Sequence, residues 1–150
     1  MVLSVFISVY LCPTEEFRMK ITDSIINDIL SHAREGYPDE VCGLMAGKDG
    51  VVSRIFRISN VDKSSVSYMM EPSEQFRAFK EMRNEGLDLM AIYHSHPTSQ
   101  AYPSRTDVRL AFYPEAVYVI ASLQKAGSFD VKGFRIVDGN ISEEALEVIP

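Results

Sequence analysis

Tyr93-His94-Ser95-His96-Pro97, followed by Ser104 and Asp107, holds most of the reactive chemistry of this chain. Two histidines one residue apart, then a carboxylate eleven positions beyond the second, offer three ligands to one divalent cation. Two of the chain's three histidines stand here. Three protein ligands leave a fourth tetrahedral position for water, as in catalytic rather than structural zinc sites. Water activated there needs a base that is not itself a ligand. Upstream, Pro38-Asp39-Glu40-Val41-Cys42-Gly43-Leu44 offers two carboxylates. Asp39 and Glu40 face opposite sides of an extended chain, so only one can look into the site, and Glu40 has the longer reach. Taken singly, Ser104 reads as a helix cap and Asp107 as a first-turn carboxylate. Asp39 and Glu40 read singly as solvated charges at a strand start. The combination, at set spacing, is what points to a metal.

Elements of two periodicities must position these groups. The apolar run 87–93 predicts a buried strand leading into the pair, on which His94 and His96 share a face. The loop 97–103 turns the chain, and Ser104-Arg105-Thr106-Asp107 has the chemistry of a helix start, the helix running to Tyr113 before Pro114. Thr22 or Asp23 caps an earlier helix with Ile25, Ile26, Ile29 and Leu30 on one stripe, ending at Gly36. His32, late on that helix, reads as a surface histidine favoured by the helix dipole. Lys48-Asp49-Gly50 joins strands 41–47 and 51–58 as a hairpin. Residues 65–70 predict a further strand. Residues 72–84 predict a second helix, with Phe76 and Phe79 on its apolar stripe and Gly86 as its stop. Strands 116–123, 131–137 and 141–148 complete a curved sheet flanked by helices, in one mixed α/β domain without internal repeats.

Glu40-Val41-Cys42-Gly43-Leu44, His94-Ser95-His96-Pro97, Ser104 and Asp107 together resemble the JAMM (MPN-plus, Mov34/MPN/PAD-1) zinc metallopeptidase pattern. That pattern is a glutamate just before a Cys-Gly-Leu-like strand, then His-x-His-Pro, six residues, Ser, two residues and Asp. The likeness covers roughly residues 19 to 149. It implies a JAMM/MPN domain of cytidine deaminase-like fold over 19–150, with a curved, mostly antiparallel sheet. It also implies one Zn2+ per chain on His94, His96 and Asp107, Glu40 as general acid/base, and Ser104 steadying the oxyanion. Tyr93-His94-Ser95-His96, the stretch from Ala101 to Val108, and Phe134-Arg135-Ile136-Val137-Asp138-Gly139 further resemble the bacterial Mec-type members. Those release cysteine from the C-terminus of a small ubiquitin-like sulfur carrier protein ending in Gly-Gly. Pro97 is a departure, since some Mec-type members lack it and the isopeptidase branch has it. An isopeptidase acting on lysine conjugates is therefore the alternative, beside a non-catalytic MPN scaffold and a RadC-like DNA-associated protein.

Composition bounds these readings. A chain of 150 residues with 46% apolar residues suits one globular domain. A net charge of −6 disfavours a nucleic-acid surface, and with it the RadC-like alternative. No window reaches the ~18 apolar residues of a membrane span. Cys12 and Cys42 are expected to be reduced thiols of a cytoplasmic protein, Cys42 as a small buried apolar group. The run MVLSVFISVYLC has no basic residue before it, unlike a signal peptide. Residues 1–18 are expected to be an N-terminal extension, either disordered or an extra strand. A homo-oligomer is left open.

Overall fold

The computed structural model describes residues 18–150, so the expectations for the N-terminal run and for Cys12 lie outside the described residues. In chain order the elements are β1 (Met19–Thr22), α1 (Asp23–Gly36), β2 (Cys42–Lys48), β3 (Val51–Ile58), α2 (Pro72–Glu85), β4 (Asp88–His96), α3 (Arg105–Arg109), β5 (Val117–Ser122), β6 (Asp130–Val137), β7 (Asn140–Glu144) and β8 (Leu146–Ile149). Among them no helix is long and apolar enough to cross a membrane.

One eight-stranded sheet carries the order β7-β6-β5-β4-β2-β3-β1-β8. It is mixed, with β2–β3, β2–β4, β5–β6 and β6–β7 antiparallel and β4–β5, β1–β3 and β1–β8 parallel. Its two end strands are separated by Ala145 alone, so the sheet curls until its ends meet. Gly133 on β6 marks the seam, because a Cβ there would lie 2.8 Å from the Leu146 side chain and 2.9 Å from the Glu144 carbonyl oxygen. The expected single strand 141–148 is thus two strands with different partners.

Alternation along β4 sorts the core into two faces. Ala91 and Tyr93 pack with Ile25, Ile29 and Ala33 of α1, together with Met45, Val117 and Val119. Ile92 packs on the other face with Leu44, Ala78 and Met82, beneath α2. His94 and His96 continue the Ile92 face, and Ser95 continues the Tyr93 face. The Thr22 hydroxyl caps α1 by accepting from the Ile25 N–H at 3.3 Å. Gly86 ends α2 in the left-handed conformation, with φ of 68°.

Four further expectations are corrected, the first being the helix expected to run to Tyr113, which ends at Arg109 with Leu110 as its cap. Residues 65–70 form no strand. Their backbone groups turn instead to Asn60, which accepts from the Met69 N–H at 3.0 Å and donates to the Ser67 carbonyl at 3.1 Å. Phe76 is 71% exposed and off the buried stripe of α2, which runs through Ala78 and Met82. His32 is no surface histidine: its Nδ1 lies 2.7 Å from the Tyr93 hydroxyl, with the two rings edge to face.

His32 carries a pH dependence. Burial, helped by the Arg57 charge and opposed by Glu35 and Asp28, lowers its pKa from 6.5 to about 4. Between these values the unfolded chain binds a proton that the folded protein does not. The neutral-state contribution is therefore fully present above pH 6.5 and is lost as pH falls toward 4. Urea denaturation of wild type and His32→Gln from pH 7 to 4.5 checks this. Glutamine can still pair with Tyr93 but takes no proton, so the variant should lose less stability on acidification. Parallel curves would refute the assignment.

Candidate metal centre

The open end of the sheet between β2 and β4 brings the reactive residues together. Cys42 is paired with His94 across the β2–β4 ladder, so the residues just before β2 lie beside the His-Ser-His run. Ser95 fastens the two, its Oγ accepting from the Val41 N–H at 2.9 Å and its N–H donating to the Val41 carbonyl at 3.0 Å. Glu40 is held on both sides: its N–H donates to the Ser64 carbonyl at 2.8 Å, and its own carbonyl accepts from Asn60 Nδ2 at 3.0 Å. Glu40 is 2% exposed, whereas Asp39 is half-buried, so the two carboxylates part as their spacing predicted. Both precede β2 rather than lying on it.

On the other side, Ser104 caps α3 by accepting from the Asp107 N–H at 3.0 Å, and Asp107 Oδ2 accepts from the Ser104 N–H at 2.8 Å. This reciprocal capping fixes the Asp107 carboxylate before any ligand arrives. The same Oδ2 lies 3.2 Å from His94 Nε2 and 3.2 Å from His96 Nε2, and the two Nε2 atoms are 3.0 Å apart. Glu40 Oε1 stands 3.9 Å from His96 Nε2. Glu40, His94, His96 and Asp107 therefore meet at one place, and Ser104 adjoins it through Asp107.

The triangle fits a tetrahedral zinc. Bonds of about 2.0–2.1 Å place tetrahedral ligand atoms about 3.3 Å from one another. Two imidazole nitrogens facing each other across one carboxylate oxygen gain most from a shared cation, and two nitrogens with one oxygen suit zinc. The Oε2 atom of Glu40 is buried without a hydrogen-bond partner, an unmet acceptor beside that point. One ion has donors enough here, since the four candidate ligand atoms lie within 4.8 Å of one another.

Electrostatics separates the groups. Burial pushes the Glu40 carboxyl up to about 7; His96 opposes this and Asp107 adds to it. That places it where a proton can be both taken and returned near neutral pH. Burial opposes ionisation of Asp107, yet hydrogen bonds to His94 and His96 hold its carboxyl well below the usual range. Burial lowers His94, while for His96 the Asp107 and Gln100 hydrogen bonds outweigh burial and raise it. Cys42 is set apart. Burial, with the Glu40 charge, pushes its thiol up to about 12, and Sγ donates to the Ile58 carbonyl at 3.4 Å. It is a buried thiol rather than a nucleophile or ligand.

Three contributors were not singled out from the sequence. The Gln100 carbonyl lies 2.8 Å from His96 Nδ1, Asn60 braces Glu40, and Tyr68 packs on His94. A backbone carbonyl and a lone amide leave no sequence signal. Tyr68 lay in the stretch read as a strand.

Residues 22–136 match the family described as prokaryotic homologs of the JAB domain. A CysO-cysteine peptidase of Mycobacterium tuberculosis is 37% identical over 131 residues, covering 86% of this chain and 90% of its own. A desampylase of Haloferax volcanii is 38% identical over 112 residues, covering 70% of this chain and 81% of its own. The solution structure of protein DSY2949 from Desulfitobacterium hafniense superposes with a TM-score of 0.77 at 38% identity, covering 87% of this chain and 90% of that one. The chain therefore belongs to the JAB/MPN (JAMM) family of zinc metallopeptidases, in its prokaryotic branch.

Proposed function

We propose that this protein hydrolyses the amide bond after the C-terminal Gly-Gly of a small ubiquitin-like sulfur carrier protein, releasing cysteine or a similar small amine. The observation that carries the reading is the convergence of His94 Nε2, His96 Nε2 and Asp107 Oδ2 on one point, with the buried Glu40 carboxylate beside it. His94, His96 and Asp107 hold zinc. Zinc, when bound, supplies Lewis-acid polarisation and brings the acidity of water close to neutral. Glu40 takes the proton from the attacking water at its carboxylate and returns it to the nitrogen of the leaving amine. Ser104 presents its hydroxyl to the carbonyl oxygen as negative charge develops there. One of its two lone pairs accepts from the Asp107 N–H, and the hydroxyl proton points elsewhere to donate.

A groove of about 230 Å³ opens beside Asp107, lined by Tyr68, Met69, Leu110, Phe112 and Tyr118 among others. Its apolar lining suits an extended tail. Glycines at the scissile end let the backbone approach the metal without a crowding Cβ. The name of the Mycobacterium tuberculosis relative supports cysteine as the leaving amine. Pro97, buried directly after His96, and the desampylase relative favour a second reading, cleavage of isopeptides on lysine.

Mass spectrometry on a carrier ending in Gly-Gly-Cys and on a lysine-linked conjugate of the same carrier separates the two. The first should lose its cysteine faster. Cleavage of the conjugate with the Gly-Gly-Cys carrier untouched reverses the ranking, and inertness to both rejects the substrate class.

A further inference from the structure

Metal-binding histidines are ordinarily held in orientation by a hydrogen bond at the ring nitrogen remote from the metal. His96 has such a bond, through Nδ1 to the Gln100 carbonyl at 2.8 Å. His94 does not: its Nδ1 is buried without a hydrogen-bond partner. The hydrogen-bonding contacts of His94 are at Nε2 alone, 3.2 Å from Asp107 Oδ2 and 3.0 Å from His96 Nε2, the atoms that would share the metal. Because χ2 is a broad torsion, His94 held only there lacks a support independent of the metal. The group lying across its ring is Tyr68, with centroids 4.7 Å apart and 30° between the planes. The His96 ring meets it edge-on, with centroids 4.9 Å apart and 61° between the planes.

We propose that Tyr68 is the positioning residue for His94, its ring face fixing by packing the plane that Gln100 fixes for His96 by a hydrogen bond. The inference rests on His94 being a zinc ligand. Tyr68 can serve because it is itself held. Asn60 donates to the Ser67 carbonyl just before it and accepts from the Met69 N–H just after it, and Met70 bridges back to Asn60. Asn60 also donates to the Glu40 carbonyl, so one amide side chain ties the acid/base and the ring support to the same segment. The aromatic face is the working part, and the hydroxyl is not needed for it.

The test is zinc affinity, read by competition with a chromophoric chelator on the stripped and reloaded full chain, together with the zinc-induced rise in Tm. Tyr68→Ala should bind zinc 10–100-fold more weakly, the usual cost of removing such support, and show a smaller zinc-induced rise. Tyr68→Phe should keep the wild-type affinity. Phe79→Ala removes a ring of the same apolar cluster that touches neither histidine. It should lower the Tm of the metal-free protein and leave zinc affinity unchanged. Equal zinc affinity in Tyr68→Ala and wild type overturns this inference alone. So does a loss in Tyr68→Phe or Phe79→Ala as large as that in Tyr68→Ala. Wild type that takes up no zinc overturns the reading of the site as well.

Discussion

Glu40→Gln is expected to bind one equivalent of zinc and to lose about 10²–10⁴-fold in kcat, the range for removing a general acid/base. Glutamine keeps the size of the side chain but cannot carry the proton. The wild-type carboxyl is 2% exposed, and burial raises its pKa to about 7, so ionising it in place is costly. In the metal-free protein the neutral variant escapes that cost, and its Tm there should match or exceed that of wild type. A dead, zinc-loaded, fully folded enzyme is the signature sought in metal analysis, calorimetry and turnover measured together. Asp39→Asn, on the half-buried neighbour, should change turnover little. Should Asp39→Asn prove inactive and Glu40→Gln active, the base has been assigned to the wrong carboxylate.

His96→Ala should lose both zinc and activity, because two ligands remain of three and, among the described residues, the further candidate ligand of this cluster is the Glu40 carboxylate, the acid/base itself. Asp107→Ala should do the same and also cost stability. Asp107 closes the capping box with Ser104, and losing such a cap costs about 1 kcal/mol. Asp107→Asn tells the two effects apart: its side-chain oxygen can still accept from the Ser104 N–H, while the charge that holds a dication is gone. Elemental analysis after purification without added metal should read one zinc in wild type and well below half an equivalent in His96→Ala and Asp107→Asn. Full zinc in His96→Ala would break the three-ligand assignment. Wild type should also melt higher with zinc than after chelation, by about 2.7 kcal/mol of stabilisation at a free zinc concentration 100 times Kd.

The metal triangle was readable because its members are local. His94 and His96 lie on one strand face, and a loop and one helix cap bring Asp107 back to them. Glu40 was legible as one of two neighbouring carboxylates, and burial separates it from Asp39. The supports were not legible, because they act across long sequence separations through common residue types. His32 reads as a helix-end histidine until Tyr93, 61 residues away, places a hydroxyl against it. The stretch 65–70, read as a strand, makes only an isolated bridge from Met70 to Asn60, whose side chain also meets the backbone of residues 67 and 69. The stretch from Ile141 to Val148 holds no glycine or proline, and nothing local announces that the partner changes at Ala145.

That change of partner has a consequence for biosynthesis. Met19 pairs with Leu146, so the earliest described strand waits 127 residues for its outer neighbour. Contacts so distant are slow to form, and a strand edge left open meanwhile invites pairing with other chains. On the ribosome, N-terminal elements emerge first, so β1 lacks its outer partner among the described strands until residues 146–149 are released. The segment that joins the ends of the sheet is thus also what shields the newly made protein from aggregation.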